Sequence, residues 1–215
     1  MSEAPRREKF GKCVVAISGA GCLGKSTLAE ALVYYLREKY NLMAAFIDLD
    51  GFLIEKAIRE AEPEPISGYN PKGYELNTAR KLLKEWIEHD TPIEVKIYDK
   101  LSSHRMNSRR VPPAKISIIE GACAFFEEFR ALSNIKIFVD APKQIQFENR
   151  KRRERFDLGR THEEIVKKFQ GLYPDYLKYI KPTKFLADVI LTVDTSYQFR
   201  IDKMPTVHMS VATSS

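Results

Sequence analysis

Gly19-Ala-Gly-Cys-Leu-Gly24-Lys25-Ser26 is the stretch on which the reading of this chain turns. It fits G-x-x-x-x-G-K-[ST] at every fixed position. Glycines at this spacing let the backbone curl until successive N–H groups point inward at phosphate oxygens. A helix starting near Gly24 adds the positive end of its dipole. Lys25 is then placed to reach the β- and γ-phosphates of a nucleotide, and the Ser26 hydroxyl to ligate magnesium. Cys22 fills a variable position as a small side chain whose sulfur is oxidisable. Context gives the pattern its weight. Cys13–Ile17 before it is short, continuous and β-branched, as in a buried strand. After it, Leu28, Ala31, Leu32, Tyr35 and Leu36 recur at helical spacing. Gly19, Ala20, Gly21, Cys22, Leu23, Gly24, Lys25, Ser26 and Thr27 are therefore the expected nucleotide cradle.

Further elements follow on both sides of the decision. Met43–Leu49 reads as a second strand, and residues 50–72, rich in proline and glycine, as a long loop or lid with little regular structure. Residues 75–89 are helical, with Leu76, Ala79, Leu82, Leu83 and Trp86 on one side. Ile93–Tyr98 alternates like a half-exposed strand, and a polar loop is expected over 99–113. Strands follow at 115–119, 135–139 and 189–193. Helices are expected at 142–156, with proline in the first turn, and at 163–179. Strands that are apolar throughout and separated by helices argue an α/β fold, with a mainly parallel sheet covered on both faces. Such sheets bind ligands beyond the carboxyl ends of their strands. Ser18, Asp48, Asp50, Glu120 and Asp140 all fall at such ends.

The chain has 215 residues, 44% hydrophobic and 30% charged, which suits one globular domain rather than a disordered or fibrous chain. No apolar run approaches the roughly 18 residues of a membrane span. The charged N-terminus has no apolar segment behind it, and the three cysteines (Cys13, Cys22, Cys123) show neither a disulfide framework nor metal-ligand spacing. A cytoplasmic location is expected. The net charge of +6 is unevenly spread. From Arg150 to Arg160 there are six basic residues against Glu154 and Asp157. A charge run is most often a solvated helix face, but beside a phosphate loop it reads as a lid that neutralises transferring charge.

A phosphate loop fixes a nucleotide but not a reaction. The guanine-selecting N-K-x-D is absent, and the chain is too short for a motor's second half. A small-molecule kinase needs a carboxylate base, magnesium ligands and cations. Asp50 is the best base, with Asp48 its competitor. Glu120, with Ser26, is the expected magnesium site. Arg150 and Arg153 share a helix face, and Arg160 follows a hinge-like Gly159. Tyr69, Asn70, Tyr98 and His104 lie in the expected acceptor loops. Trp86 and the Tyr173/Tyr176/Tyr179 series read as core, His89 and His162 as surface.

At this point the sequence resembles the uridine kinase-like branch of P-loop kinases, whose relatives include uridine–cytidine kinases, phosphoribulokinase and bacterial pantothenate kinase. Asp50-Gly-Phe52 is similar to the family's D-x-F-Y, Tyr69-Asn70-Pro71 to F-D-H-P, and Tyr98-Asp99 with His104-Arg105 to Y-D-x-x-x-H-S-R. Glu120-Gly121 matches its E-G, and Asp140 through Arg150, Arg153 and Arg160 tracks its lid. The resemblance implies ATP and Mg2+ as cofactors and Asp50 as the base on the acceptor hydroxyl. The same resemblance implies Ser26 and Glu120 around magnesium, with Lys25 and Arg153 in the transfer and Arg150 and Arg160 on the nucleotide. It also implies a P-loop three-layer sandwich with a five-stranded, mainly parallel sheet and a helical lid. Departures at Leu53, Asn70, Leu158 and Lys168, and one extra residue before His104, concern the acceptor more than the chemistry. The reading is an ATP-dependent kinase of a small hydroxyl compound, a nucleoside first. A pantothenate-like, sugar-phosphate or glycerate acceptor stands as the alternative, as does a nucleotide-binding regulator that has lost acceptor chemistry. No nucleic-acid or membrane partner is expected, and a homo-oligomer stays open. The expected limits are a polar extension at 1–11, a kinase domain at 12–195 with its lid near 150–165, and a tail at 196–215.

Overall fold

Parallel strands are buried on both faces and need apolar side chains throughout, and five of the short apolar runs pair in this way in the computed structural model, which describes residues 12–89 and 91–205. In chain order the elements are β1 (Cys13–Gly19), α1 (Lys25–Tyr40), β2 (Ala44–Asp48), α2 (Lys56–Glu60) and α3 (Leu76–Glu88). Then come β3 (Ile93–Tyr98), β4 (Arg105–Val111), β5 (Ile116–Glu120), α4 (Glu127–Arg130) and β6 (Ile135–Asp140). The chain closes with α5 (Lys143–Leu158), α6 (His162–Asp175), β7 (Val189–Val193) and β8 (Phe199–Lys203). The main sheet runs β2-β5-β1-β6-β7-β8, parallel except for β8, which pairs antiparallel with β7.

The crossover from β1 to β2 runs one way along the sheet, and that from β6 to β7 the other. Right-handed connections then put α1 and the α5–α6 pair on opposite faces. The order reverses at β1, which lies between β5 and β6, and sheets of this kind bind ligands at the carboxyl edge beside such a reversal. Val14, Ala16, Ile17, Ile118, Ile119, Phe138 and Val139 form the buried centre of the sheet. Trp86, on the buried face of α3, donates its indole N–H to the Pro112 carbonyl at 2.9 Å.

The expected α/β fold and its parallel strands are present, with four differences in detail. The polar loop expected over 99–113 contains a strand, β4, which forms a two-stranded antiparallel ribbon with β3 apart from the main sheet. Its residues are largely exposed, with Val111 alone buried, so no face of it needed apolar residues and no alternation marked it. Residues 50–72 hold α2 and a 3₁₀ turn, Leu49–Phe52, rather than irregular chain alone. The helix expected over 163–179 gives way after Asp175 to a π-turn, Tyr176–Ile180, just past Pro174, which has no N–H for the helix ladder. Strand β8 carries the sheet beyond residue 195, into what reads from sequence as tail. The expected extension at 1–11 and the end of the tail at 206–215 lie outside the described residues.

Candidate active site

The phosphate loop begins where β1 ends. Gly19 has φ 139°, and a Cβ placed there would stand 2.1 Å from the Val139 carbonyl oxygen of β6, so only glycine lets the two strands pair this closely. Ala20 and Leu23 are buried, Cys22 sits in a left-handed conformation, and α1 starts at Lys25 with Gly24 as its N-cap. Gly21 lies against the Arg150 guanidinium, and Thr27 is exposed in the first turn of α1. The Lys25 ammonium curls back to the Ala20 carbonyl at 2.9 Å. Ser26 Oγ donates to Glu120 Oε1 at 2.6 Å, the carboxylate arriving at the end of β5 in register with Asp48 of β2. Burial pushes Glu120 above its ordinary value, with Lys25 and Ser26 acting against that. A hydroxyl and a carboxylate converging on one point are the hard oxygen ligands magnesium takes, together with nucleotide phosphates and water, so this pair fits the ion.

Asp48 ends β2, and its carboxylate accepts the Asp50 N–H at 2.8 Å, which fixes the 3₁₀ turn carrying Asp50. The ribbon comes in over this turn. A Cβ on Gly51 would lie 2.2 Å from the Lys96 carbonyl oxygen, so glycine is what admits β3 so close to Asp50. From the far end of β3, Lys100 sends its ammonium to Asp50 Oδ2 at 3.3 Å and to Asp48 Oδ2 at 4.0 Å. Burial would raise Asp50, but Lys100 and Lys25, with Arg153 behind them, outweigh it and hold the carboxyl below its ordinary value. Asp48 goes the other way: burial, with Asp50 and Glu120 beside it, pushes it up. Of the two competitors, Asp50 has the nearer counter-ion, Lys100.

Two of the three arginines expected on a lid, Arg150 and Arg160, converge on a carboxylate. Glu154 is 3% exposed and accepts from Arg150 at 2.6 Å and Arg160 at 2.6 Å, while Lys168 pairs with it at 2.9 Å. Burial alone would raise Glu154, yet Arg150 and Lys168 bring it down to about 2. Arg150 also donates to the Tyr69 hydroxyl at 3.2 Å, and that oxygen accepts the Gly21 N–H of the phosphate loop at 2.7 Å. Arg153 is half-exposed, 3.6 Å from Asp157, and its charge reaches both Asp50 and Lys100.

Of the residues read as acceptor contacts, Tyr69 lies behind the phosphate loop, 7% exposed, its ring against Tyr176. Asn70 caps the 3₁₀ turn Pro71–Gly73 by accepting the Lys72 N–H at 3.1 Å. The exposed His104 faces Glu55 at 3.0 Å, and the Tyr98 hydroxyl receives a long bond, 3.5 Å, from Arg59. Two residues central to the site were missed by sequence reasoning. Glu154 carried a signal, since it stands four residues after Arg150 on one helix. Lys100 carried none: it is one cation in a loop with no visible period.

Strand-end acids beside a phosphate loop on this sheet define a P-loop kinase, a phosphotransferase acting on a hydroxyl. Residues 14–198 match the family described as Phosphoribulokinase / Uridine kinase, and the chain belongs to that family. A uridine kinase of Lactobacillus helveticus (strain DPC 4571) is 29% identical over 206 residues, covering 92% of this chain and 94% of its own. A uridine kinase of Streptococcus mutans is 27% identical over 202 residues, covering 92% and 95%. Phosphoribulokinase from Rhodobacter spheroides shares the fold at a TM-score of 0.67 and 18% identity, over 91% of this chain and 76% of that one. No helix among the described residues is long and apolar enough to cross a membrane.

Proposed function

We propose that the protein transfers the γ-phosphoryl group of Mg-ATP to a hydroxyl of a small molecule, with Asp50 as the base. One observation carries this reading: the Asp50 carboxylate, paired with the Lys100 ammonium, stands at the same sheet edge as the phosphate loop and the Ser26–Glu120 pair. Asp50 takes the proton of the acceptor hydroxyl as that oxygen bonds to the transferred phosphorus. The electron pair of the broken bond leaves with ADP. Lys25 leaves the Ala20 carbonyl to hold the nucleotide phosphates. Arg153, with Arg150 and Arg160 set by Glu154, balances charge on the transferring group, the positioning and electrostatic work that dominates phosphoryl transfer. Magnesium, held by Ser26 and Glu120, would neutralise phosphate charge.

The named relatives make nucleosides the first acceptors to assay. Asn70, where the family pattern has an aspartate, still offers an amide to a sugar hydroxyl. The test is ADP formation from Mg-ATP across nucleosides, pantothenate, sugar phosphates and glycerate, with Asp50→Asn as the blank. Acceptor-dependent ADP formation absent from the variant supports the reading. Wild-type turnover in the variant would sink it.

A further inference from the structure

The base is not free. Its carboxylate is engaged by Lys100, which is set there by a built turn. Asp99 accepts the N–H groups of Leu101 and Ser102, and its own N–H and carbonyl close the turn onto His104 and Ser103. The ribbon bearing that turn is tied down by Arg105, which donates to the Leu53 carbonyl at 3.0 Å and to Glu75 at 2.8 Å. Other cations near the crevice have partners elsewhere: Lys25 on Ala20, Arg150 and Arg160 on Glu154.

This geometry constrains the acceptor. Asp50 Oδ2 is already engaged by the ammonium, so a hydroxyl that delivers its proton to that oxygen competes with Lys100 for it. A neutral alcohol would leave Lys100 with the longer contact to Asp48 and no new counter-charge. An acceptor with its own anionic group gives the displaced ammonium a partner and frees the base in the same event. Charge-assisted bonds of this kind are about twice as strong as neutral ones.

Building on the kinase reading above, we propose that Lys100 is the specificity residue of the acceptor site, and that the acceptor is a hydroxyl compound bearing a carboxylate or phosphate that Lys100 holds, with Arg153 beside it. The acceptor's anion then draws Lys100 off Asp50 Oδ2, and a neutral analogue, which offers the ammonium no such partner, is used less well.

The experiment measures kcat/KM for matched acceptors. Glycerol is set against glycerate and glycerol 3-phosphate, and uridine against orotidine and uridine 3′-phosphate. An anionic member should exceed its neutral parent by about tenfold or more, and whether the carboxylate or the phosphate members gain identifies the group. Lys100→Gln should bring that ratio toward one through a raised acceptor KM, while Lys100→Arg keeps most of it. A neutral parent used as well as its anionic partners would overturn the inference and leave the kinase reading standing, as would a ratio unchanged in Lys100→Gln. ADP formation with none of the acceptors would remove the kinase reading and the inference with it.

Discussion

On the proposed reading the site has a phosphate end and an acceptor end, and the two are built in different ways. At the phosphate end the groups come from the sheet edge, the start of α1 and the body of α5, and short bonds, part-buried or buried, join them: Ser26 to Glu120, Gly21 to Tyr69, Arg150 to Glu154. At the acceptor end a two-stranded ribbon leans over a 3₁₀ turn, tied down by partly exposed pairs such as His104–Glu55 and Arg105–Glu75. Phosphate is the same in every turnover, so backbone and buried charge can be committed to it. The end proposed for the acceptor rests on a few side chains that can change without disturbing the sheet, which is where the proposed reading puts specificity.

The largest effect should come where the two ends meet. Lys25→Ala and Asp50→Asn should each lower kcat by about a thousandfold or more, since each removes a group acting on the transferring phosphoryl or the attacking oxygen. Asp48→Asn keeps an oxygen for the Asp50 N–H and should cost less than about tenfold. Steady-state ADP formation decides between them. Equal losses at Asp48 and Asp50 would place the base wrongly and break the distinction between the two ends.

Glu154 is the sharpest probe of the phosphate end. Removing its charge leaves Arg150, Arg160 and Lys168 without a common partner in a buried setting, and Glu154→Gln should destabilise the fold by about 3 kcal/mol. The pH dependence has a definite sign. Glu154 is held at about 2 against an ordinary 4.5, so its contribution is fully present above 4.5 and is lost as pH falls toward 2. Urea unfolding of both proteins at pH 7 and at pH 3 should show the gap narrowing in acid. A gap that stays constant would mean Glu154 acts through packing rather than charge.

The same division governs what could be read from the sequence. The phosphate loop, the strand ends Asp48 and Glu120, and the helix of Arg150 and Arg153 were legible because period and motif are properties of neighbouring residues. The ribbon was not. Residues 105–111 are polar and mostly exposed, so β4 left no alternation to find, and its pairing with β3 is a tertiary event. Tyr69 shows the complementary failure. Its place in the resembling motif suggested the acceptor, but the fold turns its hydroxyl onto Gly21 and Arg150. The Lys100–Asp50 pair spans fifty residues, and no local pattern reports a contact of that kind.

Two smaller changes compare the ends directly. Tyr69→Phe removes one oxygen that accepts from both the Gly21 N–H and Arg150, and should cost about 1–2 kcal/mol of stability and raise KM for ATP while leaving KM for the acceptor in place. Arg105→Ala should cost less, about 1 kcal/mol or below, because its partner Glu75 is exposed and such pairs contribute little. Its kinetic signature should be the reverse. Arg105 also holds the Leu53 carbonyl beside the base turn, so loosening the ribbon should raise KM for the acceptor a few-fold and leave KM for ATP unchanged. Thermal unfolding with paired KM measurements on both variants checks this. If Arg105→Ala moved the nucleotide KM instead, the ribbon would belong to the phosphate grip, and the crevice would have one construction rather than two.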